Sequence, residues 1–262
     1  MKVGFIGCGN MGGALARAVS KSGAEILLAD TDLAKRDALA EEICASVGDA
    51  LSLAGECDYL FLGVKPAGVF SLAATLRPCI GEKTTVVCMA AGVAIADLAA
   101  SLGEDKAIIR IMPNTPVGFG EGMTLAATNA LVDRDRWCRF ADVMKHSGRL
   151  DRIDEKFIDA ASAVSGSGPA FVYMFIEAMA DGGVAAGLPR DKALSYACQT
   201  LIGAARVSEC SGKHPEQLKD EVCSPGGSTI EGVRALEAGG FRGTVSEAVV
   251  RTYEKARLLG KK

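Results

Sequence analysis

Apolar positions along this chain follow two rhythms, and the change comes a little past its middle. Residues 3–6, 25–29, 59–62, 84–88 and 107–111 are short, nearly continuous apolar runs. Runs of that length and density predict parallel strands covered on both faces. Between them, residues 10–21, 33–44, 69–76 and 95–102 read as helices. Regular alternation of strand and helix predicts a doubly wound α/β sheet. Residues 122–128 and 148–153 add edge strands, with a helix over 134–145 between them.

From residue 154 the strand-like runs stop, and Ala, Leu, Glu and Lys dominate. Helices are predicted over 155–165, 169–187, 189–211, 217–222, 228–238 and 240–259. Gly166-Ser167-Gly168-Pro169, Gly187-Leu188-Pro189 and Gly239-Gly240 punctuate them. The chain therefore divides into residues 1–153 and an all-helical part, 154–262. Stretches 174–184 and 193–207 are apolar on most sides, and such helices must be buried. A domain of roughly 110 residues has little interior to offer them. A homodimer through this half would supply the cover; a self-contained bundle is the alternative.

Composition narrows the classes. The chain has 262 residues, 49% hydrophobic and 23% charged, as ordinary globular domains do. Net charge is −3 with both signs interspersed, so neither nucleic acid nor a membrane surface is an expected partner. Aromatic residues, at 5%, are too few for base stacking along a single strand. Residues 1–7 lack the features of a signal peptide, and no stretch has the length of a membrane span. The nine cysteines form no CxxC pair, which argues against a disulfide framework or zinc site and for the cytoplasm. Cys8 and Cys223, beside the two glycine-rich loops, read as small buried hydrophobes.

Candidate chemistry sits at the two ends of the chain. Gly7-Cys8-Gly9-Asn10-Met11-Gly12 follows the strand that ends at Ile6 and opens a helix. The first glycine makes the turn, the second admits a pyrophosphate to the backbone, and the third lets helix and strand pack closely. Asp30 ends the second strand, 18 residues after Gly12, where an acid holds the ribose 2′-hydroxyl of NAD. Thr31, Lys35 and Arg36 follow closely, where they would meet a 2′-phosphate; for Lys35 and Arg36 a solvated helix face is the equal alternative. Gly63-Val64-Lys65-Pro66, Ala90-Ala91-Gly92 and Met112-Pro113-Asn114-Thr115-Pro116 also lie at strand carboxyl ends, which line the cofactor crevice. Lys65 reads more readily as a phosphate or structural contact than as a general acid.

Near the C-terminus, Ser224-Pro225-Gly226-Gly227-Ser228-Thr229 makes a tight turn into a helix. Free N–H groups at such a helix start suit a small anion such as a carboxylate. The two histidines, His146 and His214, sit in apparent turns. Without a histidine acid, carbonyl reduction is disfavoured. A protonated C=N bond needs less help, because it is already electrophilic.

These motifs in this order resemble pyrroline-5-carboxylate reductase along nearly the whole chain. The resemblance also rests on Ala180-Asp181-Gly182-Gly183 and Gly187-Leu188-Pro189-Arg190. It implies a Rossmann-like domain, a helical dimerisation domain and, in many members, a ring of five dimers. It implies reduction of 1-pyrroline-5-carboxylate to L-proline with NADPH, or with NADH. By the same resemblance, Ile6, Gly7, Gly9, Asn10, Met11, Gly12, Asp30, Val64, Lys65, Pro66, Ala90, Ala91 and Gly92 would bind cofactor. Ser224, Gly227, Ser228 and Thr229 would hold substrate, with Thr229 as the catalytic candidate. The resemblance implies no metal. Ala67 replaces the glutamine of many members, and Asp30 a neutral or basic residue, which weakens any carry-over of strict NADPH use. The rival β-hydroxyacid dehydrogenases need a lysine soon after the glycine-rich turn. Here the first lysine after Gly168 is Lys192. A non-catalytic nucleotide sensor would have no use for an anion cradle.

Overall fold

The computed structural model describes residues 1–259. Met1–Ser167, together with the chain from Thr252 on, forms one compact unit; Gly168–Arg251 forms the other.

In the first unit an eight-stranded sheet has the order β3-β2-β1-β4-β5-β6-β7-β8. The strands are β1 (Lys2–Ile6), β2 (Glu25–Ala29), β3 (Ser46–Val47), β4 (Tyr59–Leu62), β5 (Thr85–Cys88), β6 (Ala107–Pro113), β7 (Gly122–Thr128) and β8 (Gly148–Arg152). Strands β3 through β6 run parallel, β7 pairs antiparallel with β6, and β8 parallel with β7. Helices α1 (Asn10–Ser20), α2 (Leu33–Ile43), α3 (Ala50–Glu56), α4 (Pro66–Leu76), α5 (Ile95–Leu102) and α6 (Arg134–Met144) cover its two faces. The chain leaves β1 toward β2 on one side and returns to β4 on the other. That reversal opens a crevice at the carboxyl ends of β1 and β4.

Successive residues of a strand point to opposite faces, so each buried strand feeds two cores. Leu60 and Leu62 of β4 join Leu53, Leu76, Leu98 and Ile108. Phe61 between them joins Phe5, Leu15, Val19 and Phe140 on the other face. The Phe5 and Phe61 rings stack with centroids 4.5 Å apart, and Phe140 lies 6.1 Å from Phe61.

Strand β3 and helix α3 go beyond the sequence expectation, and α4 starts earlier than expected. Asp49 accepts from the Leu51 and Ser52 N–H groups and so starts α3, whose Leu53 and Ala54 are fully buried. Helix α4 begins at Pro66, earlier than the residue 69 that apolar spacing gives, because a proline needs no N–H partner in a first turn. The stretch 155–165 is a short 3₁₀ turn, Glu155–Phe157, and then α7 (Ile158–Ser165). Buried Arg110 of β6 binds Glu155 at 3.1 Å and Asp159 at 2.9 Å, which fastens α7 to the sheet.

The second unit contains α8 (Gly168–Ala185), α9 (Arg190–Ser211), α10 (Pro215–Val222), α11 (Ser228–Ala238) and most of α12 (Phe241–Leu259). Helices α8 and α9 pack together through small residues. Ala180, Ala193 and Ala197 are buried there, and a Cβ on Gly183 would lie 3.1 Å from that of Ala193. Val172, Tyr173, Met174, Tyr196 and Ile202 are exposed. Large apolar side chains left exposed on two packed helices suit a contact face. No helix among the described residues is long and apolar enough to cross a membrane.

Phe61→Ala removes a fully buried ring flanked by two others. The expected cost is about 3–5 kcal/mol in urea unfolding. A loss below about 1 kcal/mol would contradict the placement of the core between the sheet and α1/α6.

Candidate active site

The glycine-rich loop between β1 and α1 is built by backbone packing. Gly7 has φ +104°, and a Cβ on it would come 2.5 Å from the Gly63 carbonyl oxygen. A Cβ on Gly12 would overlap the Gly7 carbonyl oxygen, and one on Gly63 would lie 2.8 Å from that same oxygen. Gly63, the residue after β4, is thus part of the turn; the sequence reading placed it in the crevice lining but not in this backbone contact. Gly9 differs from these three: nothing lies within 4 Å of where its Cβ would be, and it is exposed. It is also the N-cap of α1 and offers no side chain to the first N–H groups. By contrast Asp32, Asp49 and Asp133 cap α2, α3 and α6 with their carboxylates. The start of α1 therefore keeps N–H donors and open space for an anion such as a pyrophosphate.

The other expected cofactor positions border the same crevice. Ile6 ends β1 and is buried; Asn10 is exposed and Met11 half-buried at the start of α1. Val64 is half-buried, Lys65 is the exposed N-cap of α4, and Pro66 opens that helix. Ala90 is buried after β5, while exposed Ala91 and half-buried Gly92 (φ +75°) form a turn. Asp30 follows β2, half-buried, with its Oδ2 accepting from the Cys8 N–H at 2.5 Å and its Oδ1 from the Asp32 N–H at 2.8 Å. Lys35 pairs with Asp32 at 2.7 Å and Arg36 with Asp37 at 2.7 Å.

Cys8 is 8% exposed, as a small buried hydrophobe should be. Burial pushes its thiol up to about 11, and the Asp30 carboxylate adds to the shift. Asn114, buried after β6, donates to the Ser165 carbonyl at 2.9 Å and accepts from the Met123 N–H at 2.8 Å. It ties the end of α7 to β6 and β7. The sequence reading placed Asn114 in the crevice lining; its tie to Ser165 and Met123 needed the fold.

In the second unit, Ser224-Pro225-Gly226-Gly227 is a tight turn closed by the Gly227 N–H on the Ser224 carbonyl at 3.0 Å. Pro225 and then Gly226 at φ +69° have the layout of a type II turn. Gly227 is the N-cap of α11 and supplies no side-chain cap. The Ser224, Ser228 and Thr229 side chains are exposed and make no hydrogen bond among the described residues. Glu231, the acid in the first turn, pairs with Arg234 at 3.1 Å. Hydroxyls that capped the helix would point at its own N–H groups; these leave both sets of donors open. His214 accepts from the Glu216 N–H through Nδ1 and caps α10, and His146 is exposed in a turn.

Two family models match. Residues 155–259 match pyrroline-5-carboxylate reductase dimerisation, and residues 2–92 match a family described as NADP oxidoreductase coenzyme F420-dependent. A pyrroline-5-carboxylate reductase of Pisum sativum is 40% identical over 98% of this chain and 95% of its own. The chain belongs to the pyrroline-5-carboxylate reductases. The Escherichia coli member is 40% identical over 99% of this chain and 98% of its own. The solved reductase of Plasmodium falciparum, with NADP bound, has TM-score 0.90 at 31% identity over 99% of this chain and 98% of its own. That of Streptococcus pyogenes has TM-score 0.88 at 34% identity, over 98% of each chain. As a pyrroline-5-carboxylate reductase, this chain is an NAD(P)H-dependent oxidoreductase of the last step of proline biosynthesis. It has a Rossmann-like domain followed by the family's helical dimerisation domain.

The loop geometry separates two glycines of this reductase. Gly9→Ala should melt only slightly below the wild type, by the modest preference of a helix N-cap for glycine over alanine, because its Cβ enters open space at an ordinary φ of −68°. Gly12→Ala should lose stability measurably in the same melt, because its Cβ meets the Gly7 carbonyl. Equal melting of the two variants would contradict the packing described. Iodoacetamide at pH 8 should label exposed Cys44 and Cys138 and spare Cys8 in the native protein. With a thiol at about 11, only about one Cys8 in a thousand is thiolate at that pH. Rapid labelling of Cys8 would overturn its burial.

Proposed function

We propose that residues 1–153 bind the nicotinamide cofactor and that residues 154–262 bind 1-pyrroline-5-carboxylate and dimerise. The observation that carries this reading is a pair of helix starts, α1 and α11, each with a glycine N-cap and no side-chain cap. At α1 the backbone of Gly9, Asn10 and Met11 takes the pyrophosphate, and Gly7 and Gly12 hold the turn in shape. Val64, Lys65 and Pro66 border the nucleotide from β4; Lys65 contributes a positive charge beside the phosphates. Ala90, Ala91 and Gly92 leave room for the nicotinamide ribose. Asp30 faces the adenosine ribose.

At α11 the N–H groups following Gly227 and the Ser224 hydroxyl bind the substrate carboxylate. Ser228 adds a second hydroxyl. The Thr229 hydroxyl hydrogen-bonds the ring nitrogen and holds the C=N bond in position. Bound NAD(P)H supplies a hydride to the imine carbon. No strong acid is required of the chain, because a protonated imine already carries the positive charge that hydride neutralises. Positioning and fixed donors supply the catalysis.

The exposed apolar faces of α8 and α9 support a homodimer through this half, with a ring of five dimers as the larger assembly. The cytoplasm is the proposed compartment, on the cysteine pattern.

Thr229→Ala tests the catalytic assignment. A hydrogen bond to the reacting nitrogen is worth about 1–3 kcal/mol, so kcat/KM should fall roughly 5- to 150-fold. The melting temperature should stay near wild type, because the exposed hydroxyl has no partner among the described residues. Unchanged kinetics would remove Thr229 from the reaction.

A further inference from the structure

We infer that Asp30 makes this enzyme favour NADH over NADPH. The inference rests on the reading that the first unit binds the dinucleotide at the β1–α1 loop. It comes from how the Asp30 carboxylate is held, which the sequence does not reveal.

Asp30 sits directly after β2, where the adenosine ribose lies in sheets of this topology. Its carboxylate cannot swing away to admit a phosphate. Oδ2 receives the Cys8 N–H at 2.5 Å and Oδ1 the Asp32 N–H at 2.8 Å. Rotation would leave the Cys8 N–H without its partner inside the glycine-rich loop, a buried donor that costs free energy when unpaired. The carboxylate is thus locked at the ribose position by the loop that binds the pyrophosphate.

Each carboxylate oxygen accepts more than one hydrogen bond. Asp30 therefore keeps lone pairs for the 2′- and 3′-hydroxyls of NADH. A 2′-phosphate brings acceptors and negative charge only, and meets a fixed anion.

The nearby cations do not compensate. Lys35 pairs with Asp32 at 2.7 Å and Arg36 with Asp37 at 2.7 Å, its Nε also donating to Asp37 at 2.8 Å. Asp32 in addition caps α2 through the Lys35 N–H. The stretch from Asp30 to Asp37 holds three acids against two bases, a net charge of −1. A 2′-phosphate enters a locally negative site with its two candidate partners engaged.

The test is binding, with turnover as a second readout. Calorimetric titration of the wild-type enzyme with NAD⁺ and with NADP⁺ should give a dissociation constant at least tenfold lower for NAD⁺. The kcat/KM for NADH should exceed that for NADPH in the same direction. Asp30→Asn keeps an acceptor for the Cys8 N–H and removes the charge, so the preference should fall at least tenfold. Equal or tighter binding of NADP⁺ by the wild type overturns the inference, whether or not the variant folds. An unchanged preference in folded Asp30→Asn also overturns it. If neither nucleotide binds, the dinucleotide reading itself fails, a result distinct from either preference.

Discussion

Where β1 turns into α1, three stretches of backbone meet with no side chain between them. Gly7, Gly12 and Gly63 lie so close that a Cβ on any of them would run into a carbonyl oxygen or carbon of another. Only this approach brings the first turn of α1 down onto the carboxyl end of β1 and against the end of β4. It also exposes Gly9 and the N–H groups after it. Everything at the cofactor crevice depends on that contact: the direction of α1, the position of Cys8, and through the Cys8 N–H the fixed orientation of Asp30. A larger residue at Gly7 would also have to adopt φ +104°, which L side chains resist.

The same logic recurs at α11 by other means. There a proline and a glycine at φ +69° turn the chain, and the following glycine leaves the helix start uncapped. Asp32, Asp49 and Asp133 close the starts of α2, α3 and α6 with their own carboxylates, whereas α1 and α11 start at a glycine that has no side chain to offer. An uncapped helix start keeps its partial positive charge and its donors available for a ligand anion. A dinucleotide pyrophosphate and an amino-acid carboxylate are both such anions. Reduction of an imine then needs little else from the protein, which accounts for a chemistry without a histidine: His214 caps α10 and His146 lies exposed in a turn.

Much of this was legible in the sequence, for identifiable reasons. The strands from β1 to β6 are buried on both faces, so their apolar runs stand out. Glycine spacing after residue 6 and the Ser-Pro-Gly-Gly-Ser-Thr run marked both helix starts. Helix α3 was not legible, because its signal is one capping Asp49 and two buried residues, Leu53 and Ala54. Nor was the clamp of Arg110 on Glu155 and Asp159, since a lone charge inside the strand AIIRIMP does not name its partners. The role of Gly63 needed the three-dimensional approach of two chain segments. The engagement of Asp30, Lys35 and Arg36 depends on loop conformation and on which neighbour each side chain reaches. Sequence alone left both cofactors open at that point.

The central claim is that this reductase acts on a cyclic imine held by its carboxylate at the start of α11. It is tested most directly by comparing 1-pyrroline-5-carboxylate with 1-pyrroline, which lacks the carboxylate, in NADH and NADPH oxidation assays with proline or pyrrolidine measured as product. The account predicts turnover of 1-pyrroline-5-carboxylate to proline and a kcat/KM for 1-pyrroline lower by roughly a hundredfold or more, as expected when a charged group loses its fixed donors. Equal rates for the two imines, or no turnover of 1-pyrroline-5-carboxylate with either cofactor, would contradict it.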